Sequence, residues 1–167
     1  TRRSSDLARL KGSLYLMKIS RMLASATATI LLAAGLSGCS AAVSLDAADD
    51  SNNPLCADVM VRLPDTVDGL ARRGTNAQST GAWGTPAHVI LRCGLPEVTV
   101  SKLTCVTASG VDWLVDDSQK PSYRFVTFAR KPAIEVIVDS NNATGVNSLD
   151  DLSSAVKSIE ATDHCLG

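Results

Sequence analysis

The sequence predicts an α+β fold: a two-layer domain over residues 55–167, with an antiparallel sheet of four to five strands, one helix before the strands and one after. Three observations carry this. Short alternating apolar segments follow one another between residues 87 and 139. They are separated by tight turns, which join antiparallel neighbours. An apolar stripe at helical spacing, Leu149, Leu152, Val156 and Ile159, closes the chain.

The elements follow in order. Pro64 suits a first helical turn, so a helix is expected over 64–72 with Gly74 ending it. Residues 73–84, rich in Gly, Thr, Asn and Ser, read as a loop. In the strand that starts near Ala87, Val89, Leu91 and Cys93 share one face, while His88, Ile90 and Arg92 share the other. Ala108-Ser109-Gly110 joins strands at 103–107 and 111–115 as a hairpin, because glycine supplies positive φ. A turn at 116–121, a strand at 123–130, the Lys131-Pro132 turn and a strand at 133–139 complete the sheet. Ser148 is the expected cap of the last helix, with Asp150 and Asp151 in its positive first turn.

Upstream, the chain reads as an address. Met17 is the expected start, Lys18 and Arg21 form a positive n-region, and 22–36 is an uncharged run too short to span a bilayer. It ends in Leu36-Ser37-Gly38-Cys39, which matches the lipobox of bacterial lipoproteins. Residues 1–38 are therefore expected to be a signal segment. Cys39 is the expected lipidation site, its thiolate accepting a diacylglycerol as a thioether, and acyl chains would then anchor the protein. Residues 39–54, rich in Ala, Ser, Asp and Asn, read as a flexible tether. The expected location is the extracytoplasmic face of the cell membrane.

Charge changes sign at Cys39. Six of the 16 Lys and Arg but only one of the 17 Asp and Glu precede it, which leaves the remainder at −6. An acidic domain without basic clusters argues against nucleic acid as a partner. Four cysteines remain after Cys39, and outside the cytoplasm an even number favours two disulfides. Cys93 and Cys105 lie on consecutive extended segments, and Cys56 and Cys165 bracket the domain. The expected pairs are thus 93–105 and 56–165.

Chemistry is sparse. No pair of cysteines has zinc-knuckle spacing, so no metal is expected. Gly81-Ala82-Trp83-Gly84 lacks the lysine and helix of a phosphate loop, and no cofactor is implied. His88 and His164 have no serine–carboxylate context that points to a triad. The set with most potential is Trp83, Arg92, Asp112, Trp113, Arg130 and Glu135. It forms either an ion-pair network across the sheet or a polar cleft for an anionic ligand with tryptophan as platform; strand-borne charge pairs favour the first.

The motifs Trp83-Gly84-Thr85-Pro86, Ile90-Leu91-Arg92-Cys93-Gly94, Val111-Asp112-Trp113, Arg130-Lys131-Pro132-Ala133-Ile134-Glu135-Val136 and Cys165 occur in that order. Together they resemble domain-of-unknown-function family 3515, a family of actinobacterial envelope proteins. Phe128-Ala129-Arg130 stands where that family has an aromatic-Gly-Arg sequence. The resemblance implies an exported, disulfide-bearing, often lipid-anchored domain and no particular activity. The expected function is a non-catalytic lipoprotein that serves as an accessory or binding module for an envelope protein or small ligand. The alternatives are an enzyme acting on a cell-wall precursor or glycan, and a ligand-binding partner of a membrane transporter.

Overall fold

A computed structural model describes residues 41–165. The signal segment, the lipobox and Cys39 lie outside the described residues.

The first helix comes earlier than the sequence suggested. Asn53 caps it, its side chain accepting from the Leu55 N–H at 3.0 Å, and Pro54 occupies the first turn of α1 (Pro54–Met60). The expected helix over 64–72 is instead a hairpin, β1 (Thr66–Val67) and β2 (Leu70–Arg73). Its two turn residues, Asp68 and Gly69, both have positive φ (48° and 74°), the backbone that an Asp-Gly hairpin turn requires. The expected loop over 73–84 contains β3 (Thr80–Trp83), buried throughout. Gly81 is needed there because the ring of Trp83 folds over it: a Cβ would sit 2.7 Å from the ring.

The remaining strands are β4 (Val89–Leu95), β5 (Thr104–Ala108), β6 (Val111–Gln119), β7 (Ser122–Thr127) and β8 (Ala133–Asp139). β6 runs through part of the expected 116–121 turn. The sheet has eight strands, not four to five, in the order β1-β2-β3-β4-β8-β7-β6-β5, all antiparallel. Two four-strand meanders thus meet along the central β4–β8 pair. Ala129, in the β7–β8 connection, has φ 51°, a left-handed backbone that favours glycine.

Helix α2 (Gly145–Val156) starts at Thr144, four residues before the expected Ser148 cap; Ser148 is buried within it. Asp150 and Asp151 consequently lie beyond its first turn. The stripe Leu149, Leu152, Val156 and Ile159 is buried against the sheet, with Trp83, Leu91, Trp113, Phe125, Ile134, Val136 and Val138 on the facing side.

The sheet is strongly curled. Eight flat strands would hold their edges about 34 Å apart, whereas the 12 residues of α2 span about 18 Å. Both edges nevertheless reach this one helix. The β1–β2 turn donates through the Asp68 N–H to Asp151 (2.8 Å), and the β5–β6 turn donates through the Ser109 hydroxyl to Asp150 (2.6 Å).

The disulfides join Cys56 to Cys93 and Cys105 to Cys165, with Cα separations of 5.6 and 6.3 Å. The expected pairs 93–105 and 56–165 are incorrect. Cys93 faces the helical layer from β4, where α1 presents Cys56. Cys105 lies on the edge strand β5, four positions along the sheet from β4, where Cys165 arrives.

Within the expected tether of 39–54, the described residues 41–54 are bonded to the domain. Val43 donates to the Gly74 carbonyl (2.8 Å) and accepts from the Asn76 N–H, while Arg73 donates to the Ala41 carbonyl (2.8 Å). Asp50 donates to the Gly94 carbonyl at 3.1 Å. From Ala41 onward the segment is stitched to the domain. The exposed polar residues that read as tether fill the outward positions of a docked strap.

Candidate functional site

The six residues expected to form one polar site fall into separate groups. Trp83 and Trp113 are core residues with no exposed surface. Trp83 donates through Nε1 to the Pro64 carbonyl (3.1 Å); Trp113 Nε1 has no partner among the described residues. Neither is a platform on the surface.

Arg92 and Glu135 do meet. They are register partners on β4 and β8, and Arg92 Nε and Nη2 each lie 2.6 Å from Glu135 Oε2. Arg124 on β7 bonds the other carboxylate oxygen. Glu135 is 1% exposed. It projects away from the helical layer, between Ile134 and Val136, which face it. Two arginines on flanking strands thus neutralise one buried carboxylate. Each carboxylate oxygen is engaged, so the cluster is a ligature across three strands and leaves no free base.

Asp112 and Arg130 form the second group, at the end of the chain. Asp112 accepts from Thr107 Oγ1 (2.6 Å) and the Cys165 N–H (3.1 Å), and His164 Nδ1 lies 3.2 Å away. Burial pushes its pKa up, but these three bonds together hold it below the ordinary carboxylate value. Arg130 is buried and donates to the Ile159 carbonyl; burial lowers its pKa, partly countered by Asp112. Both residues fasten the terminal segment, together with the Cys105–Cys165 bridge. Asp112 and Glu135 stand on strands separated by β7, each with its own partners.

His88 Nδ1 lies 3.1 Å from Asp139 Oδ2, in a loop-fastening arrangement with Asn141 and Asn142. No group of three or more His, Cys, Asp or Glu side chains able to hold a metal occurs among the described residues.

A concavity among the described residues lies elsewhere. Between the N-terminal turn of α2 and the facing side of β5–β8 is a groove of about 730 Å³. Val106, Val115, Phe125, Val138, Ala143 and Leu149 form its apolar wall, and Ser109, Ser140, Thr144 and Asp150 supply a sparse polar rim. The helix can lie this close to the sheet because residue 145 is glycine; a Cβ there would stand 2.9 Å from the Phe125 ring. Asp150, the one carboxylate at the rim, already accepts from Ser109. The groove has the size and lining of a small-molecule or side-chain pocket. The alternation of β5 and β7 in the sequence shows which side chains face inward. That they frame an open groove depends on where α2 starts, and the misplaced helix cap hid this.

A family profile described as "protein of unknown function (DUF3515)" matches residues 22–164. No curated protein and no solved structure matches the chain.

Proposed function

Since the chain belongs to the DUF3515 family, whose description names no activity, we propose that it is a non-catalytic binding module of the cell envelope. It is lipid-anchored through Cys39 at the outer face of the cytoplasmic membrane and binds through the groove between α2 and β5–β8. The observation that carries this reading is the groove itself: an apolar concavity of about 730 Å³, in a domain whose buried charged residues are all engaged in structural bonds. The lipobox and the uncharged run before it support the anchor.

Two measurements test it. In a bacterial host, acyl labelling and membrane fractionation should place the protein in the membrane with label, and Cys39→Ala should release both. Membrane retention of the unlabelled variant would refute the anchor. An environment-sensitive naphthalene dye should brighten on the wild-type protein and not on Ala143→Trp, which fills the groove. Equal brightening on both would refute the groove as the binding site.

A further inference from the structure

The groove adjoins the one long open edge of the sheet. β1, at the opposite edge, has only two residues and is bound to α2 through its turn. β5 has five residues, Thr104-Cys105-Val106-Thr107-Ala108, and pairs only with β6. Its hairpin has a two-residue turn, Ser109 (φ 45°) and Gly110 (φ 72°), between the partners Ala108 and Val111. In such a hairpin the residues flanking the turn form a hydrogen-bonded pair, and bonded and non-bonded pairs alternate from there. Ala108, Val106 and Thr104 therefore bond β6, and Cys105 and Thr107 aim their N–H and C=O groups outward. Among the described residues none of these four groups has a hydrogen-bond partner.

Exposed edges are normally guarded by charge, proline or a bulge. β5 has none of these: it holds no charged residue and no proline, and its register with β6 is unbroken. The same strand supplies a wall of the groove, with Val106 38% exposed beside it and Val146, on the helix side, 69% exposed. Residues Thr104, Val106 and Ala108 face the groove side; Cys105 and Thr107 face the side closed by the Cys105–Cys165 bridge and Asp112.

We propose that β5 accepts an extended segment of another polypeptide as a ninth, antiparallel or parallel strand, whose alternate apolar side chains enter the groove. Backbone bonds to Cys105 and Thr107 set its register and the groove selects its side chains. The partner segment is neutral or basic, with large apolar residues at every second position. Charge argues for this occupant over a second copy of the chain, since two domains of −6 repel. Size does too: a second β5 would offer only Thr104, Val106 and Ala108, too small for a groove of about 730 Å³. The inference rests on the binding-module reading and names its partner class.

The test is selection of a random phage-displayed peptide library on the mature lipid-anchored protein in nanodiscs, followed by affinity measurement on the free peptides. Enriched peptides should alternate apolar and polar residues. Thr107→Pro, which deletes one outward N–H and no bond to β6, should weaken binding about tenfold. Val106→Asp, which puts a charge on the groove wall, should abolish it. If Thr107→Pro does not fold, slowed amide exchange at Cys105 and Thr107 on peptide binding to the wild type decides the same question. Peptide binding indifferent to Thr107→Pro, with no slowing of that exchange, overturns strand addition and leaves the binding module standing. A dimer in sedimentation that Thr107→Pro abolishes overturns the stated occupant in favour of a second copy. Enrichment of no peptide overturns the proposal, and dye binding then separates the two readings: uptake retains the module, and no uptake removes it as well.

Discussion

The carboxylate of Asp68 accepts a 2.6 Å hydrogen bond from the backbone N–H of Thr144, 76 residues away, and so caps α2 from a different element. Thr144 makes no side-chain cap of its own. Asn147 donates to the same carboxylate at 2.7 Å, and the Asp68 N–H returns a bond to Asp151. One hairpin turn thereby satisfies the helix start and fixes the edge of the sheet. Asp68→Ala should cost about 2 kcal/mol, combining a lost cap with alanine in a left-handed backbone. Urea unfolding measures it, and a loss no larger than for a surface Asp→Ala control would remove Asp68 from this role.

The same residue sets a pH dependence. The Thr144 backbone bond, then the Asn147 bond, hold the Asp68 carboxyl below its ordinary value of 3.8. Asp112 is held low as well, by the bonds that outweigh its burial. A carboxyl with a lowered pKa in the folded state contributes stability above its unfolded pKa and loses it as pH falls through the folded one. The urea midpoint should therefore fall progressively below pH 3.8. In Asp68→Asn the decline should be shallower, because one of the five carboxyls held low (Asp68, Asp112, Asp116, Asp117 and Asp139) has gone; an unchanged slope would contradict the assignment.

Glu135→Ala should be the most damaging single change on the sheet's outer face. It leaves Arg92 and Arg124 side by side with no counter-charge, at a cost of about 3 kcal/mol. Arg92→Ala and Arg124→Ala should each cost about 1 kcal/mol, because both guanidinium groups are partly exposed and water compensates. Equal losses for all three would mean that Glu135 is no hub.

A non-reduced proteolytic digest should give Cys56–Cys93 and Cys105–Cys165 peptides. The bridges span 37 and 60 residues. Loop-closure entropy assigns them about 3.8 and 4.3 kcal/mol, so removing either pair should destabilise the domain to a similar extent. A Cys93–Cys105 peptide would contradict the fold, which puts Cys93 on central β4 and Cys105 on edge strand β5.

Gly94 tests the docked strap. At φ 114° a Cβ there would stand 2.5 Å from the Ser51 nitrogen and 2.6 Å from the Asp50 carbonyl carbon. Gly94→Ala should cost about 2 kcal/mol or more and accelerate amide exchange at Asp50, whose N–H bonds Gly94. Unaltered exchange would show that the strap is held without this contact.

What the sequence revealed depended on the range of the interaction. β4, β8, the Ser109-Gly110 hairpin and the stripe of α2 were legible, since alternation, turn glycine and helical spacing are local signals. The β1–β2 hairpin was equally local, but its Asp68-Gly69 turn fell inside the helix expected from Pro64, and Asn53-Pro54 was the true start signal. β3 was hidden because Gly81, which reads as loop, makes room for Trp83. The disulfides and the groove were not legible. Both depend on the curl of the sheet, which brings Cys105 to the chain end and α2 over β5–β8. Of the six polar candidates, only the Arg92–Glu135 pair followed from cross-strand register; Arg124, its third member, was missed because its diagonal position depends on the pairing of β7 with β8.

The central β4–β8 seam also dictates an order of events in folding. Each meander is built from neighbouring hairpins whose closure spans few residues, so both can form early and independently. The seam joins Val89–Leu95 to Ala133–Asp139 across the whole second meander, a closure of high contact order. Conservative truncations within a hairpin turn, whose contacts form before the weld, should slow folding in proportion to the stability they remove, whereas those along the seam, such as Ile134→Val, should divide their effect between folding and unfolding. The protein would then behave as two fast half-sheets waiting on one slow weld.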